Sequence, residues 1–293
     1  MDICVALGGG GARGLAHIGV LRVLEREGFQ IRAIAGTSMG GVIAALYAAG
    51  YTPDDMLQRW ATTSLPLLLR ARPEGSGLIG LRRVAEALRT YLDRKAFSDL
   101  RVPLAVTATN LETGREVVIT QGDVVEAVLA TIALPGIFPP AIQGEHRLVD
   151  GGMVDPVPVE PARRLYPAPV VAVALSPSPE QWAEAKSPSP LSLLPLFDVF
   201  ARLRPGQALS VFLRALEISA RAMTELHLQL SRPDVTIRPA VWHIGLFDGA
   251  AVTEAAGIGE RAAEAALPKL HALFAPRRRL ARSLRRALGL PRP

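Results

Sequence analysis

The stretch Ile31–Gly50, IRAIAGTSMGGVIAALYAAG, restricts the possible folds of this chain more than any other. Ile31 to Ala35 is a short apolar run with the character of a buried strand, and Val42 to Ala49 reads as a helix, so Gly36-Thr37-Ser38-Met39-Gly40 falls in the turn between them. A glycine two residues to either side of Ser38 suits a strand-to-helix turn so sharp that a Cβ would not fit, or whose backbone angles only glycine adopts at low cost. Such an elbow lifts the serine hydroxyl into the open at a helix N-terminus, where free N–H groups and the helix dipole favour negative charge. A glycine-rich turn with a capping serine is the plainer alternative, and the rest of the sequence must decide between them.

A strand, a glycine loop and a helix precede the elbow. Ile3 to Leu7 is continuously apolar, as in a parallel strand covered on both faces. Gly8-Gly9-Gly10-Gly11-Ala12-Arg13-Gly14 follows, and then a helix through Leu15, Ile18, Leu21 and Leu24 that Gly28 ends. Gly9-x-Gly11-x-x-Gly14 also matches the dinucleotide fingerprint, so a dinucleotide-binding module is a rival reading. That reading needs an acid at the end of the second strand to hold a ribose. Here the strand ends in Gly36-Thr37-Ser38, and the nearest acids, Glu25 and Glu27, belong to the preceding helix. The same loop serves better as an oxyanion cradle, its backbone N–H groups unobstructed by side chains.

Downstream, Thr52-Pro53-Asp54-Asp55 starts a helix, residues 72–80 read as a loop, and Leu81–Asp93 has the apolar spacing of a core-facing helix. Strands are expected at Leu104–Thr109 and Glu116–Thr120 around a turn, a helix at Val124–Thr131, and an apolar loop at Ala133–Ala141, ALPGIFPPA. Leu148-Val149-Asp150-Gly151-Gly152 places an acid at the end of a short strand, where sites gather in open α/β sheets. Val170–Leu175 is a further strand, and residues 176–205, rich in proline and serine, read as a surface excursion suited to a lid. A helix at Val211–Leu230, a strand at Val235–Arg238 and a helix at Thr253–Phe274, interrupted or bent at Pro268, complete the pattern.

A serine hydroxyl needs a base. The order Ser38, Asp150, His243 could spell a hydrolase triad, but only one strand, one loop and one helix precede Ser38, against several strands in that fold. His243 lies among apolar neighbours without an evident acid partner, and it reads as a packed or exposed histidine. His17, near the glycine loop, is a supporting candidate, and His146, His227 and His271 read as surface residues. Asp155 and Asp248 are reserve candidates for the base.

GGGGARG, then GTSMG, then DGG with ALPGIFPP just before it, together resemble the patatin-like phospholipase family, specifically over Val5–Arg164 and more weakly to about Leu273. The resemblance implies a three-layer αβα fold with a mostly parallel central sheet, and hydrolysis of lipid acyl esters by a serine–aspartate dyad without histidine, in the manner of bacterial-type members. Carried over by motif, Ser38 is the nucleophile, Asp150 the proton acceptor, and Gly9, Gly10 and Gly11 with Arg13 the oxyanion hole. Gly14, Gly36, Gly40, Gly151 and Gly152 are the remaining motif positions. Arg13 reads equally as a lock on the loop and as a contact for a lipid phosphate. No cofactor and no metal are implied, and the partner is a lipid or acyl-ester substrate. The expected division is a core at residues 5–164, the C-terminal part of the same fold at 165–275, and a tail at 276–293.

Charge sets the remaining bounds. Of 33 basic residues in the 293-residue chain, seven are arginines in Arg277–Pro293, and without them 26 basic residues face 27 acidic ones. The body thus makes no case for nucleic-acid binding. The tail, with Leu280, Leu284 and Leu288 in register, reads either as a basic helix that rests on an anionic membrane or as a solvated terminus. A tail without catalysis would make the chain an idle membrane-binding scaffold, which the intact Ser38, Asp150 and glycine loop disfavour. The single cysteine, Cys4, excludes an internal disulfide, and the N-terminal sequence lacks a leader pattern, so a cytoplasmic location, peripheral to the inner membrane face, is expected. The uncharged run Ala33–Pro53 contains about 12 helical residues, ~18 Å of helix against ~30 Å of bilayer, and reads as a core helix.

Overall fold

The computed structural model describes residues 1–62, 77, 79–182, 204–248 and 251–275. Most of the proposed lid, most of the loop at 72–80 and the whole tail at 276–293 lie outside the described residues. The strands are β1 (Asp2–Leu7), β2 (Gln30–Thr37), β3 (Leu104–Asn110), β4 (Glu116–Ile119), β5 (Ala141–Gln143), β6 (His146–Asp150), β7 (Val170–Val173) and β8 (Val235–Ile237). They form one sheet in the order β5-β6-β3-β2-β1-β7-β8, with β4 also paired to β3. The run from β8 to β3 is parallel, whereas β4 and β6 run antiparallel to β3 and β5 antiparallel to β6. Strands from both halves of the chain therefore share one sheet.

The helices are α1 (Ala16–Arg26), α2 (Met39–Ala48), α3 (Pro53–Thr62), α4 (Arg82–Leu92), α5 (Val124–Thr131), α6 (Val159–Leu165), α7 (Arg204–Ser231) and α8 (Val252–Ala272). Strand alternation divides the core into two layers. Ile3, Val5 and Leu7 of β1 join a large cluster with residues of α1, α2, α5 and α8, while Cys4 and Ala6 turn to the opposite face. That second face is built largely of alanine, with Ala6, Ala33, Ala35, Ala105 and Ala172 all buried. Such small side chains let the short α6 lie close across β1, β2, β3 and β7. Helices on both sides of a mostly parallel sheet make the expected three-layer αβα architecture.

Local rules account for the boundaries. Past the C-cap Glu27, Gly28 takes φ 75, its N–H reaching Glu25 O at 2.9 Å while that of Phe29 reaches Leu24 O at 2.9 Å, a Schellman ending. Thr52 and Asp55 cap α3 reciprocally, Asp55 N to Thr52 Oγ1 at 3.1 Å and Thr52 N to Asp55 Oδ2 at 3.0 Å.

The structure departs from the sequence reading in four places. The glycine loop enters a 3-10 turn, Gly11–Leu15, before α1 begins. The hairpin strand β5 and the helix α6 were not expected; Pro156, Pro158 and Pro161 make the α6 region look irregular, yet Pro161 occupies the first helical turn, where no N–H partner is required. Helix α8 is not interrupted, for it continues through Pro268. Pro268 and Glu264 are both exposed, so water can replace the hydrogen bond that the proline removes.

Candidate active site

Ser38 joins β2 to α2 with φ 54 and ψ −128, so the strained backbone sits on the serine itself and not on its flanking glycines. A non-glycine residue there costs of the order of 1–3 kcal/mol unless its surroundings enforce it. Three contacts do so: Ser38 N donates to Thr131 Oγ1 at 2.8 Å, and Gly41 N and Val42 N donate to Ser38 O at 2.8 and 3.2 Å. The flanking glycines are required by proximity. A Cβ on Gly36 would collide with the carbonyl of Gly40, and one on Gly40 with the carbonyl of Leu7.

Sheet register brings Asp150 to this elbow. β4 occupies one edge of β3 opposite Val106–Thr109, and the other edge is shared. There β2 ends with Thr37 opposite Thr107, and β6 ends with Asp150 opposite Ala108. The carboxyl ends of β2 and β6 thus meet head-on along one edge of β3, which sets Asp150 beside Ser38. The Asp150 backbone is fixed by Thr109 Oγ1, which donates to its carbonyl at 3.0 Å, and by its own N–H on Ala133 O at 3.1 Å. Gly151 packs against Thr107, and Gly152 N donates to Asp150 Oδ1 at 2.8 Å. Asp150 is only 5% exposed. Burial raises its pKa from 3.8 to about 6, although the Ser38 hydroxyl and the Gly152 N–H pull in the opposite direction. A buried carboxyl with a pKa near 6 beside a serine hydroxyl is a competent general base at neutral pH.

The glycine loop lies over the elbow, with the face of Gly9 towards the Ser38 side chain and Gly14 against Met39. Its donors are not equivalent. Gly9 was expected to serve an oxyanion, but its N–H is committed to Pro156 O at 3.0 Å, as that of Ala12 is to Leu246 O at 2.8 Å. The N–H groups of Gly10 and Gly11 have no acceptor among the described residues. Arg13 is buried, with Nε donating to Ile244 O at 2.7 Å and Nη1 to Glu217 Oε1 at 2.7 Å. Of its two expected roles, these contacts are those of a lock. Glu217 of α7 also receives Arg214 at 2.8 Å and Arg221 at 3.2 Å; burial pushes its pKa up, but Arg13 and the other arginines outweigh this and hold it below the usual carboxylate value. His17 Nε2–H donates to Gly8 O at 2.7 Å, and burial lowers its pKa to about 4, so a neutral ring props the start of the loop.

Ser38, Asp150 and Gly9–Gly11 open on one cavity of 280 Å³. Its further walls are mostly apolar, among them Leu46, Met56, Trp60, Leu88, Phe138 and Leu213, with Arg59 and Arg221 also lining it. The reserve acids and histidines lie elsewhere. His243 does have an acid partner, contrary to the sequence reading: it is exposed and sits 2.9 Å from Glu254 Oε1. Nor is His227 a plain surface residue, for it is half-buried with Nδ1 3.2 Å from Asp155 Oδ1. Asp155 is engaged by His227 and by Glu116, whose pKa is raised by partial desolvation and by the nearby Asp155. Asp248 closes a turn onto Gly245 O and does not line the cavity. His146 and His271 are exposed, the latter against Phe29. Among the described residues no group of three His, Cys, Asp or Glu side chains could hold a metal ion.

The family model described as patatin-like phospholipase matches residues 5–163, over half of the chain. The chain belongs to the patatin-like phospholipase family. Relatives include an uncharacterized NTE family protein of Mycobacterium bovis, 34% identical over 178 residues that make up 59% of this chain and 49% of the relative. Human patatin-like phospholipase domain-containing protein 6 is 34% identical over 180 residues, 58% of this chain and 13% of that protein. Lysophospholipase NTE1 of Mycosarcoma maydis is 33% identical over 177 residues, 54% of this chain and 9% of that one. The chain thus spans about half the length of the mycobacterial relative and far less of the others. Among solved structures, VipD from Legionella pneumophila aligns with a TM-score of 0.43 and 13% identity, covering 90% of this chain and 66% of that one.

Two contributors escaped the sequence reading. Thr131 is the last residue of α5, and only its place just before the ALPG loop could have drawn attention to it. Glu217 carries a signal that was present: arginines three residues before and four after it on one helix face, at positions 214 and 221.

Proposed function

We propose that this family member is a lipid acyl hydrolase that forms an acyl-enzyme on Ser38 with Asp150 as its base. One observation carries the reading: a buried carboxyl, its pKa raised to about 6, set against the hydroxyl of an elbow serine. Asp150 takes the hydroxyl proton as Ser38 Oγ attacks the ester carbonyl carbon. The carbonyl oxygen becomes an oxyanion, received by the open N–H groups of Gly10 and Gly11 and the N-terminus of α2. On collapse the ester C–O bond breaks, and the departing alcohol oxygen takes the proton back from Asp150. Water then repeats the cycle: Asp150 accepts its proton, hydroxide oxygen adds to the acyl carbon, and the Ser38–acyl bond breaks with return of the proton to Ser38. A neutral His17 and a locked Arg13 leave Asp150 as the group at Ser38 that can cycle a proton. The apolar walls suit an acyl chain, in line with the lipid specificity implied by the family.

In this scheme residues 5–164 are the catalytic core and 165–275 complete the same fold. The test is Ser38→Ala against a panel of labelled phospholipid, lysophospholipid and neutral esters. Hydrolysis of every ester that the wild type cleaves should fall by about 10⁴ to 10⁶ in kcat, because nucleophile and base act as a unit. A variant that keeps more than a few per cent of activity rules out Ser38 as nucleophile.

A further inference from the structure

Helix α7 presents two apolar faces. Its inner face lines the cavity with Leu213, Leu216, Ala220 and Thr224, and carries Glu217 to Arg13 of the glycine loop. Its outer face exposes Val211 at 71%, Phe212 at 44%, Ile218 at 57%, Leu226 at 49% and Leu230 at 72%. Ala208, Ala215 and Ala222 fill the steps between them, and the remaining exposed positions from 207 to 230 are Gln207, Ser219 and Gln229. The charge exposed along this face is that of Arg214, its side chain 40% exposed and paired with Glu217 at 2.8 Å, whereas the solvent face of a surface helix is normally richly charged. Contiguous exposed apolar surface of this kind marks an interaction site.

We propose that the outer face of α7 is a lipid-docking surface that rests on a zwitterionic bilayer and turns the mouth of the cavity toward it. The proposal rests on the hydrolase reading, since it names where the substrate is collected. Continuity is the first argument. Met153, 38% exposed, lines the cavity within the turn Gly151–Met153, and that turn packs against α7, so an exposed apolar side chain at the cavity adjoins the same helix. Area is the second. Residues 207–230 span about 36 Å of helix, and at a width of ~10 Å the face offers roughly 400 Å², about half of the ~800 Å² per partner of a stable protein interface. A second copy of the chain is therefore a poor fit, and a bilayer has no such threshold. The third is charge: a face whose exposed charge is an arginine already paired with Glu217 suits neutral lipid better than anionic lipid, whereas the arginine tail suits anionic lipid. No helix among the described residues is long and apolar enough to cross a membrane, so α7 lies on the surface.

The experiment uses the full chain and vesicles of phosphatidylcholine alone. Ile218→Cys labelled with an environment-sensitive fluorophore should shift to the blue on vesicle addition, equally at low and high salt. In Ile218→Glu/Leu226→Glu, vesicle partitioning and vesicle-lipid hydrolysis should both fall at least roughly tenfold, since each site loses the transfer of a large aliphatic side chain. Turnover of a soluble short-chain ester should stay at the wild-type level, which also shows that the variant folds. Unchanged partitioning in the double variant overturns the proposal. So does a fluorophore already shielded without vesicles together with a dimeric mass, which would make a second copy the occupant. Binding that vanishes with salt, or on deletion of residues 277–293 alone, overturns it in favour of the tail. Wild type that binds vesicles but cleaves neither ester supports docking and refutes the hydrolase reading.

Discussion

Asp150→Asn should stabilise the protein while it disables it. A carboxyl moved from 3.8 to about 6 by burial is disfavoured in its ionised form by about 3 kcal/mol, and at neutral pH the folded protein bears that cost in full. The sign follows from the raised folded pKa: the native state holds the proton more tightly, so the contribution of Asp150 is most favourable below the unfolded value near 4 and is lost as pH rises through about 6. Between pH 8 and pH 5 the wild type regains about half of that cost from this group alone. An asparagine keeps the oxygen that accepts the Gly152 N–H and carries no charge to desolvate. Urea unfolding of both proteins at pH 8 should therefore show the variant more stable by up to about 3 kcal/mol, of the order of 5 °C in Tm, with the gap narrowing by about half at pH 5. Its ester turnover should be nearly as low as that of Ser38→Ala. A variant less stable than wild type at pH 8, or a gap indifferent to pH, would refute the claim that Asp150 is held ionised at a cost.

Wild-type kcat/KM for a soluble ester should fall about tenfold per pH unit below about pH 6, where Asp150 becomes protonated; a flat profile down to pH 4.5 would assign the proton to another group. His243→Ala should retain most activity, because that ring is exposed and paired with Glu254, and a loss comparable to that in Asp150→Asn would point back to a triad. Gly40→Ala should cost about 3 kcal/mol in urea unfolding, since its methyl would meet the carbonyl of Leu7; wild-type stability would contradict the tight elbow described above.

The parts of this architecture that were legible in the sequence are those that follow from local rules. The turn at Ser38 could be read because a glycine on each side of a serine between strand and helix is a local pattern, although only Gly36 meets its obstacle within the turn while Gly40 meets Leu7 of β1, and Ile3–Leu7 because a strand buried on both faces is apolar throughout. Asp150 could be singled out as an acid at a strand end, but its meeting with Ser38 depends on β6 running antiparallel to β3 and abutting β2, and register of that kind leaves no local trace. The same holds for the donors of the glycine loop. Four successive glycines look equivalent, yet Pro156, which is remote in sequence, takes the N–H of Gly9 and leaves those of Gly10 and Gly11. The partners of His227 and His243 were illegible for the same reason, since both acids arrive from other segments. Helix α6 was hidden by prolines whose compatibility with a first helical turn only the backbone reveals.

Covalent capture at the serine tests the account most directly. The wild-type chain, treated with a fluorophosphonate that mimics the tetrahedral intermediate, is digested and its peptides mapped by mass spectrometry. One adduct is expected, on Ser38, formed more slowly in Asp150→Asn and absent from Ser38→Ala. An adduct on any other residue, or a wild type that hydrolyses lipid ester yet is never labelled at Ser38, would contradict it.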